Sequence, residues 1–286
     1  MSPIRVFILT LLAMIAFAGN SLLCRLALKH TSIDAASFTS IRITSGALVL
    51  WLILRMRGST HSAAGSWHSA LALFIYAAGF SFAYVSLPVA TGALLLYGAI
   101  QATMVSYGLW AGERLRRQQI VGLILSFGGL VSLLLPGFTA PPLGNAVLML
   151  GAGVAWGVYS LRGKGADDPT CVTAGNFLRA MPLAAGLSVA MLPWASLDRP
   201  GFWYAISSGV LASGVGYAIW YTALRGLKAI NAATVQLSVP VIAAGGGIVF
   251  LDESITLRLL FASIAILGGV ALMIFTKQRV GDEVAL

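Results

Sequence analysis

Apolar runs about twenty residues long follow one another, with short breaks, from residue 4 to residue 275. At 1.5 Å rise per residue, a helix needs about 20 such residues to cross roughly 30 Å of hydrocarbon. That ruler divides the chain into ten segments: 4–27, 35–54, 68–87, 91–110, 118–135, 143–162, 171–192, 202–223, 231–250 and 257–275. Charge, Pro and Gly mark the breaks, as at Arg55-Met56-Arg57-Gly58, Glu113 to Arg117, Pro136-Gly137 with Pro141-Pro142, Lys164 to Pro169, and Asp198-Arg199-Pro200. A backbone in lipid satisfies its own hydrogen bonds, so the segments are expected to be helices. The polar–apolar alternation of a β-barrel is absent. The expected fold is an all-α integral membrane protein of ten transmembrane helices.

Composition excludes the other classes. Only 9% of residues are charged and 58% are hydrophobic, against about 25% charged in soluble domains. A disordered chain, a disulfide-stapled secreted domain and an ordinary cytosolic enzyme do not fit. The net charge of +9 lacks the dense basic face that grips nucleic acid, so no nucleic-acid partner is expected. Cys24 and Cys171 sit in or beside apolar runs with no CxxC or metal spacing, which predicts buried thiols and neither cofactor nor metal. The N-terminus carries Met1 to Arg5, an apolar run and a small-x-small site at Ala16-Phe17-Ala18. The run continues through Leu22, Leu23 and Leu26, beyond the about 7–15 residues of a signal-peptide core, so it reads as an uncleaved first span.

Lys and Arg set the orientation. With a cytoplasmic N-terminus, twelve of the 18 basic residues are cytoplasmic, among them Arg55, Arg57, Arg114, Arg116, Arg117, Lys277 and Arg279. Only Arg25, Lys29, Arg199 and Arg258 fall on the other side, and Arg42 and Arg179 lie within spans. Both termini are therefore expected in the cytoplasm.

The chain divides near Pro136–Pro142 into residues 1–138 and 139–286, each with five spans. Glu113 and Glu253 end the fourth and ninth spans, and a Gly pair follows each at the same distance, Gly128-Gly129 and Gly268-Gly269. Both features share an offset of 140 residues. Arg42 and Arg179 repeat at an offset of 137, and Ala18-Gly19-Asn20 echoes Trp156-Gly157-Val158. An odd number of spans per half inserts the second half upside down, the arrangement of transporters that rock about a midplane site. No GxxxxGK[ST] is present to energise transport with a nucleotide.

These motifs resemble the EamA-type ten-helix exporters of the drug/metabolite transporter superfamily. Phe17-Ala18-Gly19-Asn20 followed by Arg25 is similar to that family's first-span pattern, with Phe17 where Trp is usual. Phe38-Thr39-Ser40-Ile41-Arg42 resembles its second-span F-x-x-x-R. Gly112-Glu113-Arg114-Leu115 and Leu251-Asp252-Glu253-Ser254 resemble its g-E-r-l box. The fourth span lacks the Pro often found in that family, whereas Pro240 is present in the ninth. The resemblance implies a secondary transporter of a bacterial inner membrane that exports a small metabolite, with exporters of aromatic amino acids the nearest subset. A drug, cation or nucleotide-sugar transporter of the same superfamily is the alternative.

Several side chains are candidates for a substrate site. Tyr76, Phe80 and Tyr84 share one helical face, as do Tyr97, Gln101 and Met104; Trp156 pairs with Tyr159, and Gln236 with Pro240. Tyr217 clusters with Trp220 and Tyr221. Trp51, Trp67, Trp110, Trp194 and Trp203 lie near span ends, where interface belts form. Tyr97, Gln101, Trp156 and Gln236 lie deeper, where an amide needs a partner or a wet cavity. The substrate-binding candidates are thus Asn20, Tyr76, Phe80, Tyr84, Tyr97, Gln101, Trp156, Tyr159, Tyr217 and Gln236, in a largely apolar, aromatic-lined pocket. Arg42 and Arg179 read as side chains that snorkel or bond carbonyls, or as contacts to a substrate anion. Pro182 and Pro240 are candidate kinks or hinges. Glu113 and Glu253 read as caps, or as partners of Arg114 or Arg258.

No Asp or Glu lies inside a predicted span, so transport without an intramembrane carboxylate proton relay is expected. An intramembrane enzyme is not expected, because His30, His61 and His68 lie in loops or at a span edge and no helical Ser has a His partner.

Overall fold

The computed structural model describes residues 3–58, 64–110, 117–135, 140–163, 168–224, 236 and 238–283. Among these residues all regular structure is helical. The helices are α1 (Pro3–His30), α2 (Ala35–Met56), α3 (Trp67–Tyr84), α4 (Val89–Trp110), α5 (Arg117–Leu134), α6 (Leu143–Gly163) and α7 (Pro169–Ala190). A 3₁₀ turn at Leu192–Trp194 leads to α8, which starts as Arg199–Ser207, passes through a π-helical stretch at Ser208–Val215 and resumes as Gly216–Leu224. Helices α9 (Ser238–Leu251) and α10 (Leu257–Glu283) follow.

Among the described residues five helical stretches are long and apolar enough to cross a membrane: Ile4–His30, Ala35–Met56, Val89–Tyr107, Leu143–Gly163 and Arg199–Ala223. Ile120–Gly129, Ser238–Leu251 and Leu257–Gly269 are apolar but shorter. Helix α7 has the length but carries Thr170, Thr173, Asn176 and Arg179; Asn176 Oδ1 accepts from Ser66 N–H, and Arg179 reaches Ala64 O, both in the segment before α3. Helix ends differ from the hydropathy ruler because caps, not charge, stop the backbone. Asp34, Asp168 and Asp198 accept from the first N–H groups of α2, α7 and α8, so α8 begins at Arg199 rather than 202. Helix α10 runs on to Glu283, well past 275.

The packing pairs α2 with α7 and α5 with α10; α3 and α4 lie on α6, while α8 and α9 lie on α1. Small residues make these approaches close. Gly129 of α5 meets Ala262, Ala265 and Ile266 of α10, and Gly269 of α10 meets Gly122 and Ser126 of α5. These contacts map onto one another under a shift of 140 residues, and Ser126 Oγ donates to Ile266 O, 140 residues away, at 3.2 Å. Gly79 of α3 sits on Ala152 of α6, and Gly216 of α8 on Ala16 of α1. Gly153 and Gly157 of α6 bring α4 in against Leu96, Ala99 and Thr103. Trp51, Trp67, Trp110, Trp194 and Trp203 are all exposed on the outside of the bundle. The Gly112-Glu113-Arg114-Leu115 segment lies outside the described residues.

Candidate functional site

The centre of the bundle is aromatic because α1, α3, α6 and α8 each turn a ring toward the same point. Tyr76 and Phe80, one helical turn apart on α3, place their centroids 5.5 Å apart. Trp156 of α6 stands 4.7 Å from Tyr76, 4.9 Å from Tyr217 of α8 and 6.3 Å from Phe17 of α1. Offset and edge-on rings at 4.5–7 Å attract beyond their buried area. The rings enclose a small cavity of about 10 Å³, lined by Phe17, Asn20, Ser21, Tyr76, Phe80, Leu96, Tyr97, Ile100, Trp156, Ala212 and Tyr217. That volume holds about one water molecule.

Helix α1 gives the wall Asn20 and Ser21, and serines of the π-helical stretch of α8 bond to groups in or behind it. Asn20 Nδ2 donates to the Tyr76 hydroxyl at 3.4 Å, and Ser208 Oγ donates to Asn20 Oδ1 at 2.6 Å. Ser213 Oγ accepts from Arg42 Nε at 3.1 Å. Extra residues in a π turn rotate side chains off the α-helical register, and such turns recur at functional sites. In this stretch Ala212 lines the cavity, Ser208 bonds Asn20 and Ser213 bonds Arg42. The backbone of Gly209 lies against Arg42 and Ser45 of α2 with no room for a side chain.

The predicted site residues divide. Asn20, Tyr76, Phe80, Tyr97, Trp156 and Tyr217 line the cavity. Tyr84 is fully buried but stands outside the wall: its ring packs on Phe80, 4.7 Å away, and on Gly92, and its hydroxyl donates to Val89 O at 3.3 Å. Tyr159 stacks behind Trp156 at 5.5 Å. Gln101 is buried one turn beyond Tyr97, and its Nε2 has no hydrogen-bond partner. Gln236 is half-buried and is not among the wall residues. Pro182 is exposed in α7, and Pro240 is buried in the first turn of α9. Sequence reasoning passed over Ser208, Ala212 and Ser213. The signal available was the pair of small-residue triplets Ser207-Ser208-Gly209 and Ala212-Ser213-Gly214 inside an otherwise bulky span.

The two intramembrane arginines have different surroundings. Arg179 Nη1 donates to Ala64 O and Gly175 O, both at 3.0 Å, and so ties α7 to the segment before α3. Arg42 does not snorkel: it is only 2% exposed, with Cζ 5.1 Å from the ring centroids of both Tyr76 and Phe80.

Toward one end of the bundle a second, larger cavity of about 460 Å³ is lined by Arg25, Lys29, Pro88, Thr91, Pro142, Asp252, Glu253 and neighbours. Arg25 of this lining lies one turn beyond Ser21 of the central cavity on α1. Arg25 Nη1 donates to Tyr84 O at 2.9 Å and to Val85 O at 2.7 Å, and its Nε stands 3.5 Å from Glu253 Oε1. That nitrogen and that oxygen form an ion pair without a hydrogen bond. Glu253 Oε2 accepts from the Val89 N–H at 2.7 Å, the first free donor of α4. Lys29 Nζ donates to Leu251 O at 3.1 Å. The expected partners of Glu253 are thereby corrected: Arg258 bonds Ser132 O and Leu135 O instead. Asp252, with φ 50°, turns the chain at the end of α9 so that Glu253 faces α1 and α4 rather than α10.

The same end holds Asp34 and Asp198 in reciprocal contacts. Asp34 caps α2 and accepts from Ser196 N–H at 2.9 Å, while Asp198 caps α8 and accepts from Ser32 N–H at 3.3 Å. Partial burial works against ionisation of Asp34, but hydrogen bonds from Ser37, Ser196 and Ala36 outweigh it and hold the carboxyl below the usual carboxylate range.

Residues 144–275 match the EamA-like transporter family. The chain is 56% identical over 271 residues to an uncharacterized protein of Pseudomonas aeruginosa, covering 94% of each. It is 26% identical to an uncharacterized transporter of Archaeoglobus fulgidus, over 84% of this chain and 87% of that one. It is also 31% identical over 119 residues, 39% of each chain, to the threonine/homoserine exporter RhtA of Salmonella typhimurium. The chain is a multi-pass membrane protein that belongs to the EamA-like transporter family of the drug/metabolite transporter superfamily.

Proposed function

We propose that this protein is a secondary transporter that exports a small metabolite, an aromatic or apolar amino acid, from the cytoplasm of a bacterium across its inner membrane. The observation that carries this reading is the cluster of Phe17, Tyr76, Phe80, Tyr97, Trp156 and Tyr217, with Asn20 among them, around a central cavity that is water-sized in this state and widens to admit a solute when the helices rock. An apolar pocket with a few placed polar groups suits a small amphipathic solute. The relationship to a threonine/homoserine exporter supports an amino acid as cargo.

The mechanism is alternating access between two inverted five-helix repeats, residues 1–138 and 139–286. The reciprocal Gly129 and Gly269 contacts and the mirrored packing of α3 on α6 and α8 on α1 support this division. Both termini are cytoplasmic in this arrangement, so the 460 Å³ cavity is a vestibule open to the outside. Tyr84, Arg25 and Glu253 separate it from the central cavity. Release of Arg25 from Glu253 joins the two and lets the solute out. Ten crossings, a monomeric unit and the absence of a carboxylate relay in the membrane complete the proposal. Residues Tyr84, Gln101, Tyr159 and Gln236 enter the pathway when the helices rock.

The test is uptake of a radiolabelled amino-acid panel into proteoliposomes. Saturable transport of phenylalanine, tryptophan or leucine is expected. Transport of a quaternary amine or a sugar nucleotide, with none of any amino acid, overturns the reading.

A further inference from the structure

Arg42 heads the large side chains that are fully buried among the described residues. Its contacts are Ser213 Oγ, 3.1 Å from Nε, and the faces of Tyr76 and Phe80, each 5.1 Å from Cζ. None of these carries a negative charge. Among the described residues no carboxylate pairs with Arg42, and Nη1 is buried without a hydrogen-bond partner. Aromatic faces offset only part of the cost of burying a guanidinium, and an unpaired buried donor adds to it. Among the described residues the guanidinium thus has no counter-charge.

Its place in the bundle says where that charge belongs. Tyr76 and Phe80, which cover the guanidinium, are themselves cavity wall, and Ser213 adjoins Ala212 in that wall. Tyr217 supplies a second orphan: its hydroxyl is buried, unpartnered and part of the same wall. Asn20, by contrast, is satisfied on both sides by Tyr76 and Ser208. In a medium of low dielectric a charge acts on its neighbours across several ångströms, so the field of Arg42 reaches the cavity through the ring layer.

We propose that the central cavity is an anion-selective subsite: Arg42 supplies the field and Tyr217 a hydroxyl donor for the carboxylate of the solute, while Tyr76, Phe80 and Trp156 hold its apolar part. The proposal rests on the reading of this cavity as the transport site. It makes carboxylates and zwitterions the cargo and disfavours organic cations, which share the aromatic requirement but meet the Arg42 charge.

Four ligands of one size separate the cases: phenylalanine, phenylacetate, phenethylamine and 2-phenylethanol, added to the purified full-length protein and followed by tryptophan fluorescence. Phenylalanine and phenylacetate are expected to bind at least about tenfold more tightly than phenethylamine. Arg42→Gln removes that preference and Arg42→Lys keeps part of it. Equal or tighter binding of phenethylamine overturns the proposal, as does a preference that survives in Arg42→Gln or the lack of binding by either acid. If Arg42→Gln does not fold, the ranking on the native protein decides alone. Proteoliposome flux separates this proposal from the function it rests on. Transport of phenylalanine and its methyl ester at equal rates defeats the subsite and leaves the exporter standing. Selective binding of phenylacetate with no amino acid carried leaves the subsite standing and defeats the amino-acid reading.

Discussion

Arg25 and Glu253 face each other at 3.5 Å across more than two hundred residues of chain, where α1 meets the turn after α9. Each also holds backbone: Arg25 the carbonyls that end α3, Glu253 the first N–H of α4. One pair therefore links α1, α3, α4 and α9 beside the ring of Tyr84. The proposed mechanism makes this pair the gate.

Breaking the pair is expected to open the passage from the vestibule. In a background of Cys24→Ser and Cys171→Ser, a Ser21→Cys probe in the cavity wall reacts slowly with a charged thiol reagent. Adding Glu253→Gln raises that rate several-fold, in keeping with about 1 kcal/mol for a partly buried pair. An unchanged rate removes the gate from the mechanism.

Trp156 joins four helices through Phe17, Tyr76, Tyr159 and Tyr217. Trp156→Ala leaves a cavity among these rings and is expected to cost about 3–5 kcal/mol of stability. Trp156→Phe loses less and retains measurable flux. Thermal unfolding in detergent and proteoliposome transport check both.

Gly209 lies against the backbone of Arg42, and Gly144 has open space around it. Gly209→Ala is expected to push α8 off α2 and lower stability by about 1–3 kcal/mol. Gly144→Ala is neutral or slightly stabilising, since a helical Gly gives way to a better helix former. The two melting curves, taken side by side, decide whether the α2–α8 contact is as tight as described.

Asp34 binds Ala36, Ser37 and Ser196 through its carboxylate. Its ionisation is favoured in the folded state, so its contribution is present above the unfolded carboxylate pKa of about 3.9 and fades as pH falls through the lower folded value. Asp34→Ala is expected to cost about 1 kcal/mol near neutral pH. The gap between variant and native protein narrows below about pH 4. A gap independent of pH refutes the assignment.

Much of the site was readable in the chain because helical periodicity is local. Tyr76 and Phe80 share a face by spacing alone, and so do Tyr217 and Trp220, and depth within a run set Trp156 apart from the exposed Trp51 and Trp110. Periodicity says nothing of which helix stands opposite. Tyr84 and Gln101 satisfied the same spacing rule and stand outside the cavity wall, because each is rotated or displaced one turn from the meeting point. The π turn of α8 was not legible for the same reason: its Gly and Ser residues weaken a helix without saying how it will wind, and the close contact with α2 at Gly209 is tertiary.

Length, hydropathy and the scarcity of charge decided by themselves that the chain is helical and lives in lipid, because the cost of burying backbone and charge is paid residue by residue. The fates of the charges that remain were tertiary. Arg179 and Arg42 occupy matching places in their spans, yet one reaches the carbonyl of Ala64 and the other lies beneath Tyr76 and Phe80. Glu253 looked like a partner for the nearby Arg258 and instead meets Arg25. Electrostatic partners are chosen by distance through space, and in this bundle that distance is set by which glycine faces let which helices touch.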